Sequence, residues 1–321
     1  MRVERVDLLE FAEKASCFLL AAWPRPCLHY TPAYLRWQFG FPGSIPPVGV
    51  AVFDEDELVG FNGSTLRRLR FQQTTAEILL ASFASVHPAR RGGRAPGTLY
   101  RGMLEALRDC GLPHLAYAEG GSPGDLGALR AAPSAGFCLQ RLGPFPVYGY
   151  VPHPDETPAT VQVVETDDPL ALLPAIRACD DTQTLWNAPD ETMLAHYHKD
   201  PRPHALTLLY GPEGDLRGAA IVVQAEFVTA QGFRSVIMLD NLFLPRPDAE
   251  TLHALCAFAA GRWAEQIGSV RITLPNVWGI DPGILEAAGL RHRQGHFIAQ
   301  VCATDPAHPF LQAAGTNLEI V

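Results

Sequence analysis

SVHPARRGGRAPGTLYRGML (residues 85–104) sets three arginines, three glycines and a proline into eight consecutive positions, 90–97. An apolar strand predicted over 78–86 runs into this stretch. An amphipathic helix runs out of it, with Leu99, Met103, Ala106, Leu107 and Cys110 on one face. A helix start leaves about four N–H groups unpaired and carries roughly half a positive charge. Glycines before it let the backbone approach a ligand closely, and arginines add fork-shaped donors. Together these make a phosphate site, with Pro96 suited to the first helical position. The same composition also suits a strand-to-helix turn with a solvated basic surface.

Two phosphate motifs fail here. Gly92 and Gly97 have the spacing of G-x-x-x-x-G-K-[ST], but Thr98 follows directly and the lysine is missing. G-x-G-x-x-G is absent, and the loop follows a meander rather than opening a βαβ unit.

Outward from the loop, the chain repeats itself. VGVAVFDEDELVGFNGSTLRRLRF (48–71) reads as strand, acidic turn and strand, with Gly60 early in the second strand. LTLLYGPEGDLRGAAIVVQAEF (206–227) has the same shape, with Gly218 standing 158 residues after Gly60. The same offset carries Val86 onto Leu244, the end of the apolar run VIMLDNLFL (236–244). A second helix follows, with Leu252, Leu255, Cys256, Ala259 and Trp263 on one face. Short strands come next, HLAY (114–117) and SVRITL (269–274), then short helices ending in Gly136-Phe137 and Gly289-Leu290. Coincidences in this order predict two copies of one unit of roughly 150 residues. The predicted fold is α/β (α+β) with a mixed sheet: a β-meander, helix, strand, helix and closing strands, twice. The first unit spans 1–150, the Pro-rich stretch VPHPDETPAT (151–160) is the linker, and the second unit spans 161–321.

With these elements in place, the loop resembles motif A of the GNAT superfamily, the CoA-dependent N-acetyltransferases. The pattern [QR]-x-x-G-x-[GA] is met by Arg90, Gly93 and Ala95, after the lead-in Val86-His87-Pro88. The resemblance covers 48–140 and extends more faintly to 206–300. It implies an N-acetyltransferase with acetyl-CoA as cosubstrate and no metal. It also implies that the loop from Arg90, Arg91, Gly92, Gly93, Arg94 and Ala95 to Gly97 and Thr98 holds the CoA pyrophosphate, while Phe83, Ala84, Ser85 and Val86 pair with the pantetheine arm. Glu77, in AEILLASFASV (76–86), matches the strand that carries a glutamate base in histone-type members, two residues farther from the motif than usual. The family's usual tyrosine acid falls on Ala132, which leaves Tyr117, Tyr148 or water to protonate the leaving thiolate.

Each candidate has a plain alternative. Glu77 could be a solvated strand end. Glu119, past the next strand, is a comparable base candidate or simple surface, and Tyr117 and Tyr148 could be core aromatics. Where the first copy has HPARRGGRAPG, the second has PRPDAE (245–250); two carboxylates there suit the helix dipole and would repel a pyrophosphate. The second copy therefore reads as degenerate and CoA-free. His196, His198, Asp200 and His204, like His292 and His296, read as structural rather than metal-binding. Arg67, Arg68 and Arg70 read as a solvated strand face or as contacts to an acidic ligand. YLRWQF (34–39) reads as core or as pocket lining.

Composition narrows the class. A net charge of −9 argues against a nucleic-acid or anionic-membrane partner. The longest apolar runs fall short of the ~18 residues that span a bilayer. ASCFLLAAW (15–23) follows four acidic residues and reads as the buried face of a first helix, not a leader. Seven scattered cysteines without C-x-x-C fit buried thiols in the cytoplasm. The expected activity is transfer of an acetyl group from acetyl-CoA to a small-molecule amine. The alternative is a non-catalytic CoA-binding scaffold.

Overall fold

The computed structural model describes residues 1–71, 74–152, 159–179, 185–267, 271–312 and 316–317. The first half opens with β1 (Arg2–Val6), α1 (Leu8–Ala22), β2 (Cys27–Leu28) and α2 (Pro32–Phe39). The meander β3 (Val48–Asp54), β4 (Glu57–Phe71) and β5 (Thr74–Val86) follows, then α3 (Ala95–Cys110), β6 (His114–Glu119), α4 (Pro123–Ser134) and β7 (Cys138–Tyr150). The second half runs β8 (Gln162–Thr166), α5 (Leu173–Ala178), β9 (Leu185–Asn187) and α6 (Glu191–Tyr197). Its meander is β10 (His204–Tyr210), β11 (Leu216–Thr229) and β12 (Gly232–Phe243). After it come α7 (Ala249–Ile267), β13 (Ile272–Pro275), α8 (Pro282–Ala287), β14 (Arg291–Ala303) and β15 (Thr316–Asn317). Residues 153–158 of the expected linker and 269–270 of the expected strand lie outside the described residues.

Local chemistry sets these boundaries. Asp7 caps α1, its carboxylate accepting from the amides of Leu9 (2.9 Å) and Glu10 (3.2 Å). Ala12, Ala15, Phe18, Leu19 and Ala22 of α1 are buried, as the apolar run predicts. Gly111 ends α3 at φ +70°, a left-handed value that favours glycine. On α3, Leu99, Met103, Leu104, Ala106 and Leu107 are buried, and each large side chain contributes roughly 1.5–3 kcal/mol by leaving water. All five predicted core positions of α7 are buried too. Pro96 is the second helical residue rather than the first, because Ala95 already belongs to α3.

The sheet runs in the order β1-β3-β4-β5-β6-β14-β7-β13-β12-β11-β10-β8. Read from either edge, a meander leads to a parallel pair, β5–β6 in one half and β12–β13 in the other. The closing strands then change places. β14, which ends the second half, pairs with β6, and β7, which ends the first, pairs with β13. Short strands cross over as well: β2 pairs with β11 and β9 with β4. The segments 1–150 and 161–321 therefore share one continuous sheet.

The register places the two repeat glycines alike. Gly60 sits opposite Val86. A Cβ on Gly218 would lie 2.5 Å from Leu244 Cδ2, so the matching pair is also in contact. The basic run on β4 departs from expectation. Arg67 is buried, its guanidinium stacked 3.6 Å from the Phe41 ring centre, while Arg68 pairs with Asp190 at 2.9 Å. Tertiary packing has put a charge where a solvated strand face was expected. Of the cysteines, Cys17 is exposed and Cys110 and Cys138 are half-buried; the other four are buried.

Candidate active site

The parallel ladder between β5 and β6 pairs Leu79, Leu80 and Ala81 with His114, Leu115 and Ala116, and extends no further. Beyond it the two strands splay. β5 also bulges there: Phe61 faces Ser85 and Gly63 faces Ser82, so β5 carries one more residue than β4 across that span. Phe83 takes φ +65°, a left-handed backbone uncommon for a large side chain. The bulge turns the peptide groups around Phe83 and Ala84 out of the β4 register, beside the splay. Such departures cluster where a ligand is held.

A cleft of about 640 Å³ fills the splay. Phe83, Ala84, Tyr117 and Glu119 line its middle. Trp23, Tyr30, Phe227 and Met238 wall the side toward α1 and the second half, and Met103, Leu104, Ala128 and Ala132 wall the side toward α3 and α4. Thr273, Pro275 and Val277 also reach it, so both halves build the cleft. A groove of about 550 Å³ between α3 and α4 shares Tyr100 and Leu104 with it; Gly97, Arg101, Arg108 and Arg130 line that groove.

The basic loop stands at the end of β5. α3 begins at Ala95 with no side-chain cap. A Cβ placed on Gly92 or Gly97 would meet nothing within 4 Å, and one on Gly93 only the Arg90 carbonyl at 3.6 Å. The glycines thus leave open space over an uncapped helix start. The arginines divide their work. Arg90 pairs with Asp54 (3.1 Å) and Glu57 (3.5 Å), holding the loop to the β3–β4 turn. Arg91 donates to the carbonyls of Val86 (3.2 Å) and Ala22. Arg94 is exposed, and Thr98 donates its amide to the Arg94 carbonyl at 3.0 Å within the first turn of α3. The corresponding start of α7 is closed. Asp248 accepts from the Thr251 amide at 2.8 Å, and Arg217 pairs with Glu250 at 3.1 Å.

The structure brings together Phe83, Ala84, Tyr117 and Glu119 but not Glu77. Glu77 lies six residues before Phe83, about 20 Å along the strand at ~3.3 Å per residue. Its carboxylate accepts from the amide of Ser44 at 3.1 Å and from the Ser44 hydroxyl, and it does not line the cleft. Glu77 thus stands outside the cleft lining, whereas a base must reach the proton that it takes, directly or through water. Tyr148 is buried in the core, edge-on to His292 at 5.6 Å, and also lies outside the lining. The Ser85 hydroxyl accepts from the Trp23 indole, and Val86 meets Arg91, so both brace the rim. His196 stacks on Trp37 at 5.5 Å, and His204 leans edge-on to His198 at 6.0 Å. Trp37 is core, whereas Tyr34 lines a side pocket of about 240 Å³ with Arg202 and Asp240.

Burial tunes several lining groups. His114 is held neutral, its pKa lowered to about 4 by desolvation. The Cys302 thiol is pushed up to about 12 by burial, which rules it out as a thiolate nucleophile near neutral pH. Tyr100 is likewise raised to about 12 by burial and then by the Asp125 charge. Sequence reasoning missed Asn62, His114 and Gln300, all in the lining. The available signal was an uncharged polar residue inside an apolar strand run, as in VGFNG, HLAY and FIAQVCA.

A β-meander, a bulged strand splayed from its parallel neighbour and a glycine-rich helix start give the first half a GNAT-like fold, and the second half has a meander and a parallel neighbour of its own without the glycines. No protein-family model matches the sequence, and no curated protein does. Solved structures do. Saccharomyces cerevisiae N-myristoyltransferase with bound myristoyl-CoA is similar with a TM-score of 0.67 at 13% identity, over 96% of this chain and 84% of that one. A protein of unknown function from Enterococcus faecalis V583, described as a probable N-acyltransferase, has a TM-score of 0.55 at 12% identity, over 93% of this chain and 72% of that one. A GCN5-related N-acetyltransferase from Anabaena variabilis ATCC 29413 has a TM-score of 0.56 at 12% identity, over 93% and 72%.

Proposed function

We propose that the protein is an acyl-CoA-dependent N-acyltransferase acting on a small-molecule amine. The observation that carries this reading is the junction of the splay at Phe83 with the open glycine loop at the uncapped start of α3. A CoA thioester has a pyrophosphate for the loop and a pantetheine arm for the exposed edge of β5. Its thioester then lies beside the bulge. Arg101, Arg108 and Arg130 in the α3–α4 groove suit the remaining phosphate charge. The acceptor enters between Trp23, Tyr30, Phe227 and Met238, walls that suit a small molecule.

The amine nitrogen attacks the thioester carbonyl; the C–N bond forms, the C–S bond breaks, and CoA leaves as thiolate. Glu119 takes the amine proton, directly or through water. Peptide N–H groups at the Phe83 bulge stabilise the tetrahedral oxyanion. Tyr117 or solvent returns a proton to the departing sulfur. The second half, whose α7 start is capped by Asp248, shapes the acceptor side and holds no CoA.

Two measurements test the reading. CoA at 100 times its Kd adds about 2.7 kcal/mol of apparent stability, read as a raised Tm. Acetyl-CoA with a panel of amines then releases free thiol. Binding without turnover on any amine would favour the scaffold alternative, and no Tm shift with CoA would remove the loop assignment.

A further inference from the structure

The side pocket adjoins the acceptor wall of the cleft. It shares Leu28, Tyr30 and Met238 with the cleft, and the Tyr30 ring lies edge-on to Phe83 at 4.9 Å. One aromatic ring therefore separates the pocket from the bulge, and a single acceptor molecule can reach both. Tyr34 stands beyond Tyr30, stacked on it at 5.7 Å.

Two idle hydroxyls mark the pocket. Tyr30 is 6% exposed and Tyr34 is 3% exposed, and among the described residues neither phenol oxygen has a hydrogen-bond partner. Neither oxygen is among the unpaired polar atoms sealed from water, so both open into the space that their rings line. Burial raises both phenols above their usual range and keeps them protonated. Hydroxyls this deeply placed normally find a partner, and a ligand would supply it.

The surrounding charge says which ligand. The Arg202 guanidinium lies 4.4 Å from the Tyr34 ring centre and is already engaged: Asp200 accepts from its Nε at 3.1 Å and its Nη2 at 2.6 Å, and Asp240 from Nη2 at 3.4 Å. Both carboxylates are buried. Glu226 lies at the rim, 3.1 Å from His29 Nδ1. Three carboxylates thus face one arginine and one histidine, and their sum is negative even with His29 protonated. A carboxylate entering the pocket would be repelled, and an alkyl tail would leave the hydroxyls idle. An ammonium brings three donors and a positive charge, and phenol oxygens accept hydrogen bonds.

We propose that the side pocket binds a second, cationic amino group of the acceptor, so that the substrate is a diamine or longer polyamine acylated at its other end. The proposal rests on the acyl-CoA reading above. One nitrogen reaches the thioester beside Phe83. The other stays an ammonium, as an alkyl amine is near neutral pH, and lies between Tyr30, Tyr34 and the Asp240 charge.

The test compares hexylamine, 1,6-diaminohexane, 6-aminohexan-1-ol and 6-aminohexanoate, together with the matching four-carbon set, on the full chain. Binding is read by titration calorimetry and turnover by thiol release from acetyl-CoA. At one of the two lengths the diamine should bind at least about tenfold more tightly than the alkylamine, the scale of one hydrogen bond to a charged group. The aminocarboxylate should bind most weakly. Tyr34→Phe removes only an idle oxygen, and Asp240→Asn removes a charge; each should cut the diamine preference several-fold and leave alkylamine binding unchanged. Tyr34→Phe keeps the test decisive if the buried aspartate variant fails to fold. Equal binding of diamine, alcohol and alkylamine at both lengths overturns the proposal, as does tighter binding of the carboxylate or a preference that survives Tyr34→Phe. Thiol release from none of the amines overturns the acyl-CoA reading, a separate failure that leaves the calorimetric comparison to decide the pocket.

Discussion

Gln300 on β14 donates its carboxamide to Asp125 on α4 at 2.7 Å, so a strand from the second half fastens a helix of the first. The Asp125 carboxylate is fully buried and also accepts from the Gly121 amide (2.9 Å) and from Arg141 on β7 (2.7 Å). Both exchanged strands therefore meet at one carboxylate beside the cleft. Desolvation alone would raise its pKa, but the hydrogen bonds from Gly121 and Gln300 and the Arg141 charge outweigh burial and hold it below the usual carboxylate range. Asp125→Ala should lower stability by about 2–3 kcal/mol, since it leaves buried donors unpaired. Chemical denaturation of the variant checks this. In the wild type the Asp125 contribution is present above the unfolded carboxylate pKa and is lost as pH falls through the lower folded value.

His114 shifts stability at milder acidity. Its pKa is about 4 in the fold, below the ordinary histidine value. Between these values the unfolded chain binds the proton and the native one does not. Stability therefore falls as pH drops from about 6.5 toward 4, by up to about 3 kcal/mol. His114→Leu should flatten that limb. A stability–pH profile as steep as the wild type's would exclude His114 as its source.

Gly93→Asp tests the loop. The glycine has open space above it, so the variant should fold with a wild-type Tm. It sets a carboxylate beside the expected pyrophosphate, and the Tm shift with CoA should vanish. A full shift would move the phosphate elsewhere.

Glu119→Gln keeps the shape of the side chain and removes its basicity. It should lower kcat by roughly 10²–10⁴, a typical contribution of a general base, with acyl-CoA affinity unchanged. Glu77→Gln, away from the cleft beside Ser44, should leave kcat within about twofold of the wild type. The reverse ranking would reassign the base.

The two repeat glycines differ in tolerance. A Cβ on Gly218 would lie 2.6 Å from the Phe243 carbonyl oxygen, a backbone atom of the neighbouring strand, whereas one on Gly60 comes no closer than 3.3 Å to Val52. Gly218→Ala should therefore destabilise by more than 1 kcal/mol and Gly60→Ala by less, as urea midpoints would report.

Local periodicity made much of the fold legible. The alternation and offset that tied Gly60 to Gly218 and Val86 to Leu244 are properties of strands that bury one face, and they appear as matching neighbours in the sheet. The loop at 90–97 was legible for a related reason. Glycine, proline and arginine at a helix start act through the backbone within a few residues.

What sequence alone could not decide was which side chains share a space. Glu77 fits the strand pattern, yet it does not line the cleft, and the bulge at Phe83 lies about 20 Å farther along the strand. Asn62, His114 and Gln300 come from three strands and border one cleft, Gln300 reaching it from the other half because β14 pairs with β6. Arg67 was read as surface and is buried against Phe41, because α2 and its loop cover that strand face. The sequence by itself determined the elements, their repeat and the loop, all of which depend on short-range backbone geometry and period. Only the tertiary structure decided the cleft and the residues that border it, because those depend on contacts between residues as far apart as Asp125 and Gln300.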